Sequence, residues 1–204
     1  MKILAIGDVV GKNGCSFLRS KLRNFKKDHD IDFVIANGEN SAEGNGIIPN
    51  SACYLFDSGV DIITGGNHTF RRKEIFSFLN ENNYEKNGKH IIRPLNYPRP
   101  SAPGKGFCKV DVGGVKIAVI NILGVSYLEC LILPAEALDN VVEQCSDCAI
   151  KIVDFHAEAT AEKRAFGFYA DGKVSAVFGT HTHVQTSDEE ILPQGTGYIT
   201  DVGM

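Results

Sequence analysis

Lys2-Ile-Leu-Ala-Ile-Gly7, followed by Asp8-Val-Val-Gly11, is the stretch on which the fold turns. A short apolar run rich in branched residues ends in an acid and a glycine-bearing loop to Gly14, the pattern of a buried strand running into a loop. Cys15 to Lys27 follows with Phe17, Leu18, Leu22 and Phe25 at helical spacing, which predicts a helix. Arg19, Lys21, Arg23, Lys26 and Lys27 lie opposite and read as its solvated face. The unit then recurs. Asp32-Phe-Val-Ile-Ala-Asn37 predicts a strand that runs into Gly38-Glu39-Asn40, and a helix near Asn50 to Ser58 leads to Asp61-Ile-Ile-Thr64. That strand runs into Gly65-Gly66-Asn67-His68, ahead of a helix from about Arg71 to Asn82. Strand, loop and helix in repeated succession indicate an α/β layer protein, with polar residues collecting at the strands' C-terminal ends.

The second half changes texture. Pro94, Pro98, Pro100 and Pro103 mark an irregular connection, after which Phe107 to Val112 and Val115 to Ile122, split by Gly113-Gly114, predict a hairpin. A helix from Pro134 to Gln144 precedes a strand from Ala149 to Phe155 that ends in His156-Ala-Glu158. A helix from Thr160 to Phe168 leads to a strand from Val174 to Phe178, which runs into Gly179-Thr-His181-Thr-His183, and Tyr198 to Asp201 reads as a last strand. The 204 residues show no internal repeat and no low-complexity linker, so one domain with a substantial core is expected.

Composition narrows the function classes. With 43% hydrophobic and 23% charged residues, the chain can bury enough apolar surface to order itself. Its longest apolar stretch, Lys116 to Val125, is interrupted by Asn121 and falls far short of the ~20 residues of a membrane helix. The N-terminus meets Asp8 too early for a signal peptide, so a cytoplasmic location is expected. Six cysteines are then expected as free thiols, the lone Cys145-Ser-Asp-Cys148 pair included, since a four-cysteine zinc site needs a second pair. A net charge of -4 argues against a broad nucleic-acid binder. Gly7-Asp-Val-Val-Gly11-Lys12-Asn13 is no P-loop: its glycines are too close, and Asn13 stands where Ser or Thr is needed.

Asp8, Glu39-Asn40, Asn67-His68, His156, and His181 with His183 all lie at or just beyond the ends of apolar strands. Strand ends on one edge of a sheet converge in space, so these residues can share a pocket. Singly, each has a simpler explanation as a cap or a turn residue. Jointly, those explanations require the same coincidence at five places. His29 and His90 sit in polar, lysine-flanked stretches and are expected at the surface. On an extended segment His181 and His183 would face the same way, roughly 7 Å apart, able to reach one metal or a close pair. Oxygen and imidazole donors without a thiolate suit Mn, Fe or Zn. Seven donors are too many for one tetrahedral ion and match two ions sharing a carboxylate. Only Asp8 and Glu39 are anionic, so two divalent ions would keep a net positive site, able to hold an anionic ester and acidify a bridging water. His68 would be free to donate a proton to the leaving oxygen.

The ordered set Gly7-Asp8, Gly38-Glu39-Asn40, Gly66-Asn67-His68, His156 and Gly179-Thr-His181-Thr-His183 resembles the dinuclear, calcineurin-like metallophosphoesterases. Val10 replaces the histidine of their usual Asp-x-His, and Gly-Glu-Asn replaces their Gly-Asp pair. With Ile6-Gly-Asp-Val-Val-Gly11, Asp154-Phe-His-Ala-Glu-Ala-Thr160 and Gly179-Thr-His-Thr-His-Val-Gln-Thr186, the wording is similar to the bacterial YmdB-type phosphodiesterases. That resemblance implies an α/β four-layer sandwich, two mixed β-sheets flanked by helices. It implies one metal held by Asp8, Glu39, Asn40 and His183, and a second held by Asn67, His156 and His181, with Glu39 bridging and His68 as proton donor. It also implies hydrolysis of 2′,3′-cyclic or 3′,5′-cyclic nucleotides with iron or manganese bound, zinc or magnesium being the other candidates. The expected partner is thus a small phosphodiester, with no membrane and no stable nucleic-acid partner; a homo-oligomer is compatible. After Gly124 the loop Val125-Ser-Tyr-Leu-Glu-Cys130, expected to border the substrate, is shorter than the family's, and the chain stops at Met204 where the family continues. On that reading residues 1–204 are a single metallophosphoesterase domain truncated at its C-terminus. The competing readings are a phosphomonoesterase or nuclease-like phosphoesterase on the same metals, and a non-catalytic metal- or nucleotide-sensing regulator.

Overall fold

The computed structural model describes residues 1–43, 45–81, 88–97, 102–128 and 132–204. Pro98, Pro100, Cys130 and the expected helix end at Asn82 lie outside them. In chain order the elements are β1 (Ile3–Asp8), α1 (Gly11–Asp28), β2 (Phe33–Asn37), α2 (Pro49–Ser58), β3 (Ile62–Thr64), α3 (Ile75–Glu81) and β4 (His90–Ile91). There follow β5 (Phe107–Val112), β6 (Val115–Leu123), α4 (Pro134–Val142), β7 (Ile150–His156), α5 (Thr160–Ala170), β8 (Ala176–Thr180), β9 (Glu190–Ile191) and β10 (Gly197–Ile199). A 3₁₀ turn over Glu143–Cys145 extends α4.

Two sheets form. β1-β2-β3-β4 is parallel at every described pairing, because long connections, most of them helical, join its strands. The other, in the order β5-β6-β7-β8-β10-β9, is mixed: β5–β6 is an antiparallel hairpin, β6, β7, β8 and β10 run parallel, and β9 closes antiparallel.

Strand periodicity assigns the layers. In β2, Val34 and Ala36 pack with Leu18, Leu22, Leu55, Phe56, Ile75 and Leu79 of α1, α2 and α3, while Phe33 and Ile35 point into the layer between the sheets. In β6, Ile117 and Val119 enter that same layer, and Ala118, Ile120 and Ile122 pack with Leu138, Val141 and Phe166 of α4 and α5. Helices, sheet, sheet and helices are therefore the four layers. Each fully buried large side chain such as Phe56 or Phe155 contributes about 1.5–3 kcal/mol of transfer free energy to holding them together.

Several expectations need correction. The buried stripe of α1 is Cys15, Leu18 and Leu22; Phe17 is 66% exposed, one position and so about 100° round the helix from Leu18, and Phe25 lies outward against the His29 ring at 4.2 Å. His90 is not a surface residue: it is half-buried in β4, paired with Ile62. β4 and β9 have two residues each, too few to show a period of two in sequence. α3 begins at Ile75, since Arg71 to Glu74 form turns.

The two sheets are tied at the edge where the strand C-termini gather. Asp8 N–H donates to Gly203 O at 3.1 Å and Val202 N–H to Gly179 O at 3.0 Å, so residues 200–203 run across the ends of β1 and β8. A Cβ on Gly7 would lie 1.8 Å from Gly203 O, which explains this glycine by a neighbouring backbone.

Candidate metal centre

At that edge all eight residues singled out in the sequence meet. Asp8 ends β1, Glu39 and Asn40 lie just beyond β2, Asn67 and His68 beyond β3; His156 ends β7, and His181 and His183 follow β8. Asp8 Oδ1 is 3.4 Å from His183 Nε2 and 3.3 Å from Asn40 Nδ2, and Glu39 Oε1 is 3.3 Å from Asn40 Nδ2. His68 Nδ1 is 2.9 Å from Asn40 Oδ1 and 3.2 Å from Glu39 Oε1, while its N–H donates to Glu39 Oε2 at 2.7 Å.

The centre of the arrangement is His156, fully buried. Its Nε2 is 3.0 Å from Asn67 Oδ1, 3.2 Å from Glu39 Oε1 and 3.1 Å from His181 Nδ1. One ring nitrogen carries at most one proton, so three acceptor-capable atoms around it are more than a hydrogen bond can serve. Donor atoms of Glu39, His156 and His181 all lie within 4.8 Å of one another, a spacing that one cation could bridge. A Cβ on Gly66 would sit 2.3 Å from Glu39 Oε2 and 2.4 Å from His156 Nε2, so this position must lack a side chain for the donors to converge.

A hydroxyl and a carboxylate orient the imidazole. Thr180 donates its one hydroxyl proton to Asp154 Oδ1 at 2.7 Å and therefore faces His156 Nδ1, 2.9 Å away, with a lone pair. That fixes the proton of a neutral ring on Nδ1 and leaves Nε2 open toward Glu39, the relay typical of metal-bound histidine. Thr64 Oγ1 binds the other Asp154 oxygen, and Asn37 Nδ2 donates to Gly65 O at 3.0 Å beside it. Asn67 turns its oxygen toward the cluster but Asn40 turns its nitrogen; a half-turn of the Asn40 amide exchanges the two.

Electrostatics follow from this crowding. Burial alone would raise Glu39, but the charge and hydrogen bonding of His156 and the hydrogen bonds from His68 outweigh it and hold the carboxyl below its ordinary range. Burial alone would lower His156, yet Glu39, Asp8 and Asp154 push it up to about 9. Burial raises Asp154 to about 6 against the opposing pull of His156 and the two threonine hydroxyls. His181 is lowered, by burial first and by its neighbour His156 next.

The segment after β8 departs from expectation. His181 (φ 102°) and His183 (φ 62°) both sit in the left-handed region, so they are not two same-facing residues of an extended run. The kinked path sends His181 to His156 and His183 to Asp8. A buried ion pair holds this path: Lys163 Nζ donates to Thr180 O at 2.8 Å and Asp201 Oδ2 at 2.6 Å, and that oxygen also accepts from Thr182 N–H at 3.2 Å and its hydroxyl at 2.8 Å. Sequence reasoning missed Lys163 and Asp201, as well as Asp154 and Thr180; it also missed Glu158, whose Oε2 is 2.9 Å from His181 Nε2. A lysine inside an apolar helical face and an acid beside His156 were the available signals.

The donor set, two carboxylates, two amides and three imidazoles without a thiolate, fits hard-to-borderline divalent ions. Residues 4–204 match the family described as YmdB-like protein. The chain belongs to that family. It is 45% identical over its whole length to the 2′,3′-cyclic-nucleotide 2′-phosphodiesterase of Bacillus subtilis (strain 168), covering 75% of that protein. The crystal structure of a hypothetical protein from Thermus thermophilus superposes with a TM-score of 0.91 at 42% identity, over all of this chain and 77% of that one. A phosphatase structure from Mycoplasma pneumoniae gives 0.90 at 36%, over all of this chain and 72% of that one. The reaction class follows: this YmdB-like chain is a phosphoric diester hydrolase, and its metallophosphoesterase-type family implies divalent metal ions. Among the described residues no helix is long and apolar enough to cross a membrane.

Proposed function

We propose that the chain is a two-metal phosphodiesterase acting on cyclic nucleotides, 2′,3′-cyclic and 3′,5′-cyclic monophosphates, with iron or manganese bound. The observation that carries this reading is His156 Nε2 facing Glu39, Asn67 and His181 at once, with Asn40 also at Glu39 Oε1 and Asp8 linking Asn40 to His183. Glu39 would bridge, Asn67, His156 and His181 would complete one site, and Asp8, Asn40 and His183 the other. When bound, such ions supply Lewis acidity toward the phosphoryl oxygens and lower the pKa of an attacking water. The rest is the work of side chains. Asp154, through Thr180, keeps the His156 proton on Nδ1 and its Nε2 available. The Lys163–Asp201 pair fixes the turn that aims His181 and His183 apart. His68 is tied through Nδ1 to Asn40 and is one-quarter exposed, so Nε2 is the atom from which a proton would pass to the leaving oxygen.

The 2′,3′-cyclic assignment is supported by the relative of B. subtilis, to which this chain is 45% identical. We place the protein in the cytoplasm; the free thiols of Cys15, Cys145 and Cys148 accord with a reducing compartment. The test is elemental analysis of protein purified without chelator, with hydrolysis of 2′,3′-cyclic, 3′,5′-cyclic and monoester nucleotides side by side. Two ions per chain with preferential cleavage of the cyclic diesters is the expected result; folded protein that takes up no metal overturns the reading.

A further inference from the structure

Beside the metal centre lies a cavity of about 520 Å³ lined by Tyr127, Leu128, Glu158, Ala159 and His181. Tyr127 is 88% exposed, and its backbone sits at φ 64°, a conformation a bulky residue adopts only when its surroundings impose it. The segment leading to it is anchored at three successive residues. The N–H groups of Val125 and Ser126 donate to the two oxygens of Glu162 at 2.8 and 3.1 Å, and Gly124 N–H donates to His156 O at 2.9 Å. A Cβ on Gly124 would lie 2.5 Å from that of Ala157, so the chain leading to Tyr127 is pressed against the end of β7. An aromatic ring is thereby held out at the rim of the site by a backbone anchored to the strand that carries His156. Exposing it to water while straining its backbone gains the fold nothing.

We propose that this cavity receives the nucleobase of the substrate and that Tyr127 is the residue on which the base stacks. The proposal rests on the cyclic-nucleotide reading above. Every base presents a π-face, and stacking on an aromatic side chain tolerates any of them. The cavity suits the neutral end of the substrate, because Glu158 in its wall offers only acceptor oxygens, which repel a phosphate. His181 is shared between the cavity and the donor cluster, so a substrate whose phosphate reaches the cluster would have its base next to the cavity.

The chain contains no tryptophan, so Tyr127→Trp places a single, selectively excitable tryptophan at the proposed subsite. Its emission is expected to be quenched on titration with adenosine 3′-monophosphate and to stay unchanged with ribose phosphate or inorganic phosphate. In kinetics, selectivity for adenosine 2′,3′-cyclic phosphate over base-free ribose 2′,3′-cyclic phosphate, as the ratio of kcat/KM values, should fall roughly 5- to 150-fold in Tyr127→Ala. Tyr127→Phe should retain it. An unchanged ratio in Tyr127→Ala, or equal quenching by ribose phosphate, overturns the subsite while leaving the cyclic-nucleotide reading in place. A wild-type protein that cleaves neither cyclic phosphate overturns that reading, and the subsite with it.

Discussion

Replacing Lys163 by Met should cost stability by an amount the structure lets one bound. Lys163 and Asp201 side chains are each 1% exposed and 2.6 Å apart, and breaking a buried pair by removing one partner costs about 3–5 kcal/mol because a charge is left uncompensated. Asp201 retains Thr182 N–H and its hydroxyl on one oxygen and Gly203 N–H, at 2.8 Å, on the other, so Lys163→Met belongs near the lower limit. Asp201→Asn leaves an ammonium with only Thr180 O and an amide oxygen as partners, and belongs near the upper. For a chain of this size each kcal/mol moves Tm by roughly 2–4 °C, giving drops of about 6–12 °C and 10–20 °C. In the double variant Lys163→Met with Asp201→Asn, no unpaired charge remains, and part of the loss should return as a favourable coupling. Thermal unfolding followed by circular dichroism, with metal content measured on the same samples, is the assay. Both single variants melting within about 2 °C of the parent would refute the reasoning, since no buried pair behaves so.

Glu39→Ala removes the proposed shared ligand and should leave the purified protein with little or no metal by elemental analysis; occupancy equal to the parent's would exclude bridging. His68→Ala should keep its metal while turnover falls by about 10²–10⁴-fold, and loss of metal instead would make His68 a ligand. The metal-free protein should bind Mn²⁺ more tightly as pH rises. His156 is held protonated up to about 9, so a proton must leave Nε2 for a metal to enter, and apparent affinity should fall about tenfold per pH unit below that value. Titration calorimetry showing the same affinity at pH 6 and pH 9 would contradict this. The same raised pKa gives metal-free protein stability that is complete below the ordinary histidine value and is lost as pH climbs through about 9, a trend denaturant titrations can read.

Most of this fold is legible from runs of apolar residues with glycine at their ends. β2 and β6 emerge because nearly every position is buried, on one face by helices and on the other by the opposing sheet. β4 and β9 do not emerge, because two residues carry no period and their pairing is decided by β3 and β10. The eight donor and proton-transfer candidates were visible through position at strand ends. What was not visible lies one hydrogen bond further out. Thr180 and Asp154 read as ordinary strand residues, and only the register that sets His156 against Thr180 shows that the hydroxyl fixes the ring's tautomer. Lys163 falls on the apolar stripe of its helix with Phe166 and Ala170, but its partner Asp201 is 38 positions away and only the fold brings the two together. The path of residues 181–183 was misread for a related reason: extended geometry is the default after a strand, and the left-handed turns are imposed by tertiary bonds to Asp201.

The charge arrangement bears on what such a site could select. The chain as a whole carries a net charge of -4, which repels polyanions at long range. On the proposed reading two divalent ions would face Asp8 and Glu39 as the only carboxylates among the proposed ligands, so a positive spot is confined to the strand-end edge. Of the other buried acids nearby, Asp201 is neutralised by Lys163, and Asp154, whose oxygens accept from Thr64 and Thr180, acts on the site through His156. A short-range positive centre on a chain of net negative charge favours an anion small enough to bring one phosphate to the metals without laying others along the protein. A cyclic mononucleotide satisfies that condition and a nucleic-acid strand does not. Selectivity against long polyanions should therefore be strongest at low ionic strength and fade as added salt screens the surrounding acids over a Debye length of about 10 Å at 0.1 M. Competition by single-stranded DNA against cyclic-nucleotide hydrolysis, measured from low to moderate salt, should become no weaker as salt rises; a strong inhibition at low salt that salt relieves would show a basic track along the surface and would end this account.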